Sequence, residues 1–240
     1  IINFLAIIAG ALIGTLLGDR LKNKTRDLVT DALGLVTLLI AGLSVIDITN
    51  PKLTETLGSG IGVLIVLAAL IVGGILGSYW KLEDRFENIG KKLKKSLRKK
   101  IKSDKGNFVE GFVSASLVFV VGPLAILGSI SDGLGKGIEQ LALKSALDFF
   151  ASIAFAASLG IGVAFSALAV GIYQGLFTLL GYFLGDVLNE AQVLALTSTG
   201  GLLLVGVSFR LLKIKQVPVA NLLPALFFAP VFVYLVILIR

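Results

Sequence analysis

Apolar stretches long enough to cross a bilayer recur from one end of this chain to the other. A helix needs about 20 predominantly apolar residues to span the hydrocarbon core. Eight segments fit, at about 2–18, 30–46, 61–80, 109–127, 142–159, 163–185, 193–212 and 219–239. Lipid offers no partner to backbone N–H and C=O groups, so such segments fold as helices. The expected fold is all-α, a polytopic transmembrane helix bundle of about eight spans. With 56% hydrophobic and only 15% charged residues, the chain leaves no room for a sizeable soluble domain. The weak point is 142–185. One helix of that length would run about 66 Å, too long for a single crossing, so the split is placed at Gly160-Ile161-Gly162. A seven-span alternative makes one piece re-entrant and moves the C-terminus to the other side. Ile2–Gly18 is apolar enough for a signal peptide, but Gly10, Gly14 and Gly18 form a packing stripe, so no cleavable leader is expected.

Charge orients the bundle. Lys81–Lys105 holds eleven Lys/Arg against Glu83, Asp84, Glu87 and Asp104, a net +7 equal to that of the whole chain. Arg20, Lys22, Lys24 and Arg26 follow the first span; Arg210, Lys213 and Lys215 follow the seventh. These odd-numbered connections share one side, which the positive-inside rule makes the cytoplasm. The expected location is the cytoplasmic membrane. The chain divides into N-terminal helices (1–80), a polybasic amphipathic segment (81–107) and C-terminal helices carrying the polar site (108–240). Ile89, Leu93, Leu97 and Ile101 recur every four residues among the lysines. That is an apolar stripe suited to anionic lipid headgroups, or else a plain topological anchor. The segment has no aromatic interleaving after Phe86, so nucleic acid is not the expected partner.

Two carboxylates sit inside apolar stretches: Glu110 and Asp148. A charge in hydrocarbon costs roughly 2.5 kcal/mol or more unless it faces protein or water, so such residues are candidates for an ion or solute path. Lys144 stands one turn before Asp148 and could neutralise it as an i, i+4 pair. Glu110 lies near the cytoplasmic end, where water could reach it. Helical spacing places Ser114 on the face of Glu110, and Ser145 and Ser152 on that of Asp148. It places Ser166 and Thr178 on that of Gln174, and Thr197 and Ser208 on one face of the seventh span. These oxygens suit a small hard cation or a polar solute; most of the hydroxyls are equally well read as bonding their own helix carbonyls. Gly122-Pro123 breaks the fourth span, and Asn221, Pro224 and Pro230 do so in the last. Such breaks free carbonyls that can bind solute, or merely kink a helix. The candidate binding set is Glu110, Ser114, Asp148, Gln174 and Asn221, with Lys144 as charge partner and helix breaks at Gly122, Pro123 and Pro224.

The chain has no His and no Cys, and no phosphate-binding glycine loop. Enzyme activity, a cofactor and a bound metal are not expected.

Gly14-Thr-Leu-Leu-Gly-Asp-Arg-Leu21 resembles Gly181-Tyr-Phe-Leu-Gly-Asp-Val-Leu188, and the same offset aligns Gly34-Leu35 with Gly201-Leu202. The likeness reads either as an inverted repeat, common in secondary transporters, or as chance similarity of Gly/Leu-rich segments. Gly10/Gly14/Gly18, Gly73/Gly77 and Gly171/Gly175 are small-xxx-small spacings that mark close helix contact; they also admit a homo-oligomer.

Glu110-Gly-Phe-Val-Ser-Ala-Ser-Leu117 is similar to a motif of the uncharacterised bacterial inner-membrane family that includes YdfK and YqgA. The resemblance continues through Gly122-Pro-Leu-Ala-Ile126, Lys144-Ser-Ala-Leu-Asp148, Gly160-Ile-Gly-Val163, Tyr173-Gln-Gly175 and Ala220-Asn-Leu-Leu-Pro-Ala225. It implies a multi-span cytoplasmic-membrane protein, from a family of unknown function sometimes labelled as transporters. The family's recurring polar positions coincide with Glu110, Lys144, Asp148, Gln174 and Asn221. The expectation is a secondary transporter or ion-conducting protein for a small cation or polar solute. The alternative is a non-transporting membrane scaffold or assembly factor docking through its basic helix. A water-filled cavity reaching Asp148 or Glu110 favours the first; closed pairs favour the second.

Overall fold

A computed structural model describes residues 1–97, 107–184 and 188–239. Among them there are eleven α-helices and no strand. They are α1 (Ile2–Gly18), α2 (Asn23–Ile46), α3 (Pro51–Leu57), α4 (Ile61–Tyr79), α5 (Leu82–Leu97), α6 (Phe108–Val121), α7 (Pro123–Gly133), α8 (Glu139–Leu159), α9 (Ser166–Leu184), α10 (Glu190–Leu211) and α11 (Ala225–Ile239). Six helical stretches are long and apolar enough to cross a membrane, or seven if α6 and α7 count as one bent span. The apolar α1 is shorter, at 17 residues.

The breaks fall where the sequence places them. Gly160 takes φ +87°, a conformation that costs a residue with a Cβ dearly, and α8 ends there. A 3-10 turn at Ile161–Phe165 then leads into α9. Gly122 is extended and Pro123 opens α7, bending the fourth stretch by 62°. Pro suits the first turn because it lacks only an N–H that has no helical partner there. The last stretch begins as a 3-10 turn at Val219–Leu222, and Pro224 precedes α11. Pro230 lies within α11 without ending it.

Glycine sets the closest contacts. A Cβ built on Gly10, Gly14 or Gly18 would run into the backbone carbonyls of Phe149, Ile153 and Ala157, so α1 lies against α8 and parallel to it. Gly73 and Gly77 likewise admit the backbone of Ala225 and Asn221, setting α4 antiparallel to the last span. These two stripes are thus filled within the chain. Gly175 differs: nothing lies within 4 Å of its Cβ position. Gly34 against Leu211 and Leu212, and Gly201 against Ala41 and Val45, make α2 antiparallel to α10. All three directions are those an eight-span alternation requires.

Two helix pairs also share the sequence offset of 167 residues that separates Gly14 from Gly181. Gly34 meets Leu212, and their counterparts Gly201 and Val45 meet in turn. A Cβ on Gly171 would lie 3.2 Å from the ring of Phe4, its own counterpart. Beyond these pairs the likeness stops. α1 lies along α8, whereas α9 lies along α7. Residues 185–187 of the second motif lie outside the described residues.

The core gathers around α6 and α10, the latter buried over most of its length. The outer faces of α2, α4 and α9 carry exposed Leu35, Leu39, Leu64, Ile75, Ile172 and Leu179. Lipid solvates such a surface at no cost, unlike water. The basic helix α5 departs in part from the expected lipid-facing stripe. Phe86 stacks on Phe112, and Gly90 approaches Val109 and Phe112, so the apolar face rests partly on protein. Ile101 and most of the distal lysines lie outside the described residues.

The native chain lacks cysteine, which makes single-cysteine labelling clean. With α5 on the cytoplasmic side, a membrane-impermeant thiol reagent applied from outside should label a Cys at Asn189 and spare one at Ser96. Labelling of Ser96 from outside would invert the orientation.

Candidate functional site

Lys144 and Asp148 lie one turn apart on α8, so both project from one face. Lys144 Nζ donates to both carboxylate oxygens of Asp148, at 2.6 and 2.7 Å. Asn3, in the first turn of α1, donates through Nδ2 to Asp148 Oδ2 at 2.9 Å and to Gln174 Oε1 at 3.2 Å. Lys144 Nζ also stands 5.6 Å from the ring centre of Phe119 on α6, within reach of a cation–π attraction. Four helices thus converge on one polar cluster. Its members are almost sealed from the surface: Asn3 is 3% exposed, Asp148 4%, Lys144 6% and Gln174 9%. Asp148 lies near the middle of the 21-residue α8, and Gln174 near the middle of the 19-residue α9.

The cluster balances its charge but not its hydrogen bonds. Asn3 Oδ1 and Gln174 Nε2 are buried without a partner, an acceptor and a donor left over on two amides already joined by one hydrogen bond. Ser152 Oγ, one turn beyond Asp148, has no partner either, nor do Ser114 Oγ and Ser116 Oγ on α6. A buried polar atom without a partner costs roughly 1–3 kcal/mol. Six other hydroxyls behave differently. Thr30, Ser129, Ser145, Ser166, Ser198 and Thr199 bond carbonyls three or four residues back on their own stretch. The unpaired atoms of Asn3, Gln174 and Ser152 are what could hold a small polar molecule or a mobile proton beside Asp148.

Of the residues singled out in the sequence, Lys144, Asp148 and Gln174 come together. Ser114 lies buried on α6, the helix that carries Phe119. Glu110 lies apart, in the first turn of α6, where the helix dipole favours a carboxylate. Its Oε2 accepts from Asn107 Nδ2 at 2.7 Å, and Asn107 Oδ1 caps the helix. Asn221 lies apart too: in the turn before α11, its Oδ1 accepts from the backbone N–H of Glu83 at 2.9 Å. The carbonyls at the helix breaks are used locally. Gly122 O accepts from Ala125 N–H, and Pro224 O from Phe227 and Phe228.

Two groupings were not foreseen. Asn3 joins Asp148 to Gln174; an amide in an apolar run was the available signal. The other is a buried ion pair between Arg210 and Glu83. Glu83 Oε2 also accepts from Ala220 N–H at 2.8 Å, so α5 is pinned to the connection between α10 and α11. Both residues stand among other charges in the sequence, which hid their burial.

A groove of about 770 Å³ opens between α5, α6, α9, α10 and α11. Its walls are apolar, and neither Asp148 nor Glu110 lines it. The Asp148 pair is therefore closed in this conformation.

Removing one member of a buried pair typically costs about 3–5 kcal/mol, because the other charge is stranded. Asp148→Asn should therefore lower the unfolding temperature of the purified protein. Lys144→Gln/Asp148→Asn should recover most of that loss. Additive losses would show that the two side chains do not act as a pair.

The family model described as "Protein of unknown function (DUF554)" matches residues 1–234. The chain is similar to the "Uncharacterized membrane protein YdfK" of Bacillus subtilis (strain 168), 29% identical over 236 residues, covering 98% of this chain and 95% of the relative. It is similar also to the "Uncharacterized protein YqgA" of Escherichia coli (strain K12), 29% identical over 228 residues, covering 95% and 92% respectively. No solved structure matches. The chain, an all-helical membrane protein, belongs to the DUF554 family.

Proposed function

We propose that this protein is a secondary transporter of the cytoplasmic membrane, moving a small cation or polar solute in a step coupled to the Asp148 carboxylate. The observation that carries the reading is the Asn3–Asp148–Lys144–Gln174 cluster with its unsatisfied acceptor and donor. Its position adds support. Asn3 adjoins Phe4, and Phe4 meets its own 167-residue counterpart Gly171, as at a two-fold axis between two inverted units. Transporters built on inverted repeats bind substrate and coupling ion at that interface, near mid-membrane. Opening of the closed pair would let water, a proton or a solute amine or carboxylate compete for Lys144 and Asp148. The polybasic helix α5 would meanwhile rest against anionic headgroups.

A second reading is a non-transporting scaffold, and the closed pair favours it: the apolar groove does not reach Asp148. Flux separates the two. In proteoliposomes under an imposed potential, the parent chain should move protons, Na⁺ or K⁺ above the rate of empty vesicles. Lys144→Gln/Asp148→Asn, chosen because it should fold, should cut that flux about ten-fold or more, the scale on which a buried functional charge is felt. A folded double variant with unchanged flux would remove Asp148 from any coupling role. A parent chain silent toward all three ions would favour the scaffold.

A further inference from the structure

We propose that the lateral groove between α9 and α11 is a specific site for an anionic phospholipid, its acyl chain in the groove and its headgroup at the lysines of α5. The shape fits a chain. Along α9 the lining runs from Leu168 to Leu180, about 18 Å at 1.5 Å per residue. One leaflet of the ~30 Å hydrocarbon core is roughly 15 Å deep. The volume of about 770 Å³ falls within the roughly 300–1,000 Å³ of small-ligand sites.

The charge fits an anionic head. Ile89 and Leu93 of α5 line one mouth. Lys92, one turn beyond Ile89, and Lys95, one turn beyond Lys92, are exposed on the same helix. The ion pair of Arg210 with Glu83 and the Ala220 N–H bond hold that helix over the mouth.

The proposal rests on α5 lying in the headgroup layer, and the test separates the two claims. The full chain is purified into nanodiscs of equal phosphatidylglycerol and phosphatidylcholine, and lipids retained after stripping are counted by native mass spectrometry. One phosphatidylglycerol per chain should remain. Lys92→Gln/Lys95→Gln should reduce its preference over phosphatidylcholine by about ten-fold or more, since each surface lysine contributes about five-fold toward anionic lipid. Ala169→Trp, which fills the groove, should abolish retention, with Ala169→Phe in its place should the Trp variant not insert. Leu39→Trp on the outer face of α2 should leave it unchanged. Equal retention of the two lipids overturns both claims. Charge preference that survives groove filling overturns the groove site and leaves α5 as a headgroup-layer helix only.

Discussion

Lys144 and Asp148 are held 2.6 Å apart with almost no exposure, and much of the bundle is arranged around that fact. Taking two charges out of water costs several kcal/mol per ion, and their attraction offsets this only when the remaining lone pairs and protons are also satisfied. Asn3 supplies a further donor to the carboxylate, and the Phe119 ring supplies a face to the ammonium. Asn3 can do so only because α1 lies against the backbone of α8, which requires Gly10, Gly14 and Gly18. The glycine stripe and the ion pair are therefore one device. A side chain at Gly14 would push α1 outward and withdraw Asn3 from Asp148. Gly14→Leu should thus lower stability, read by thermal unfolding, by more than the same change at exposed Gly175, where nothing crowds the Cβ position.

The same logic orders the second buried pair. Arg210 and Glu83 sit at the opposite end of α10 from its capping box at Asn189 and Gln192. Glu83 accepts from Ala220 N–H, and Asn221 accepts from Glu83 N–H, so two backbone donors near helix ends find partners. The amphipathic helix is thereby fixed at its first turn. Asn221 contributes to architecture here, at a distance from the cluster that Gln174 joins.

Helical class, the breaks at Gly122-Pro123 and Gly160, and the pairing of Lys144 with Asp148 were legible in the sequence. Each depends on local rules: span length, backbone conformation and i, i+4 spacing. What the sequence could not show depends on which faces meet. Asn3 lies 145 residues from Asp148, so only tertiary packing could join them. Glu110 and Asp148 looked alike by burial cost, yet one is an ordinary first-turn carboxylate and the other an interior charge. The glycine spacings announced close contact without naming a partner; the partners of Gly14 and Gly77 turned out to be other helices of this chain.

The 167-residue offset draws these strands together. A helix pair packed antiparallel always has a local two-fold, so the α2–α10 contact alone says little. Two pairs whose separate local axes demand one offset say more, and that offset is the one separating Gly14 from Gly181. Yet α1 lies along α8 and α9 along α7, so the two halves differ where they meet the rest of the bundle. The ion pair resides on α8, the helix that α1 lies along. Any exchange of neighbours between α1 and α9 would have to pass through the Asn3–Gln174 bond beside that charge.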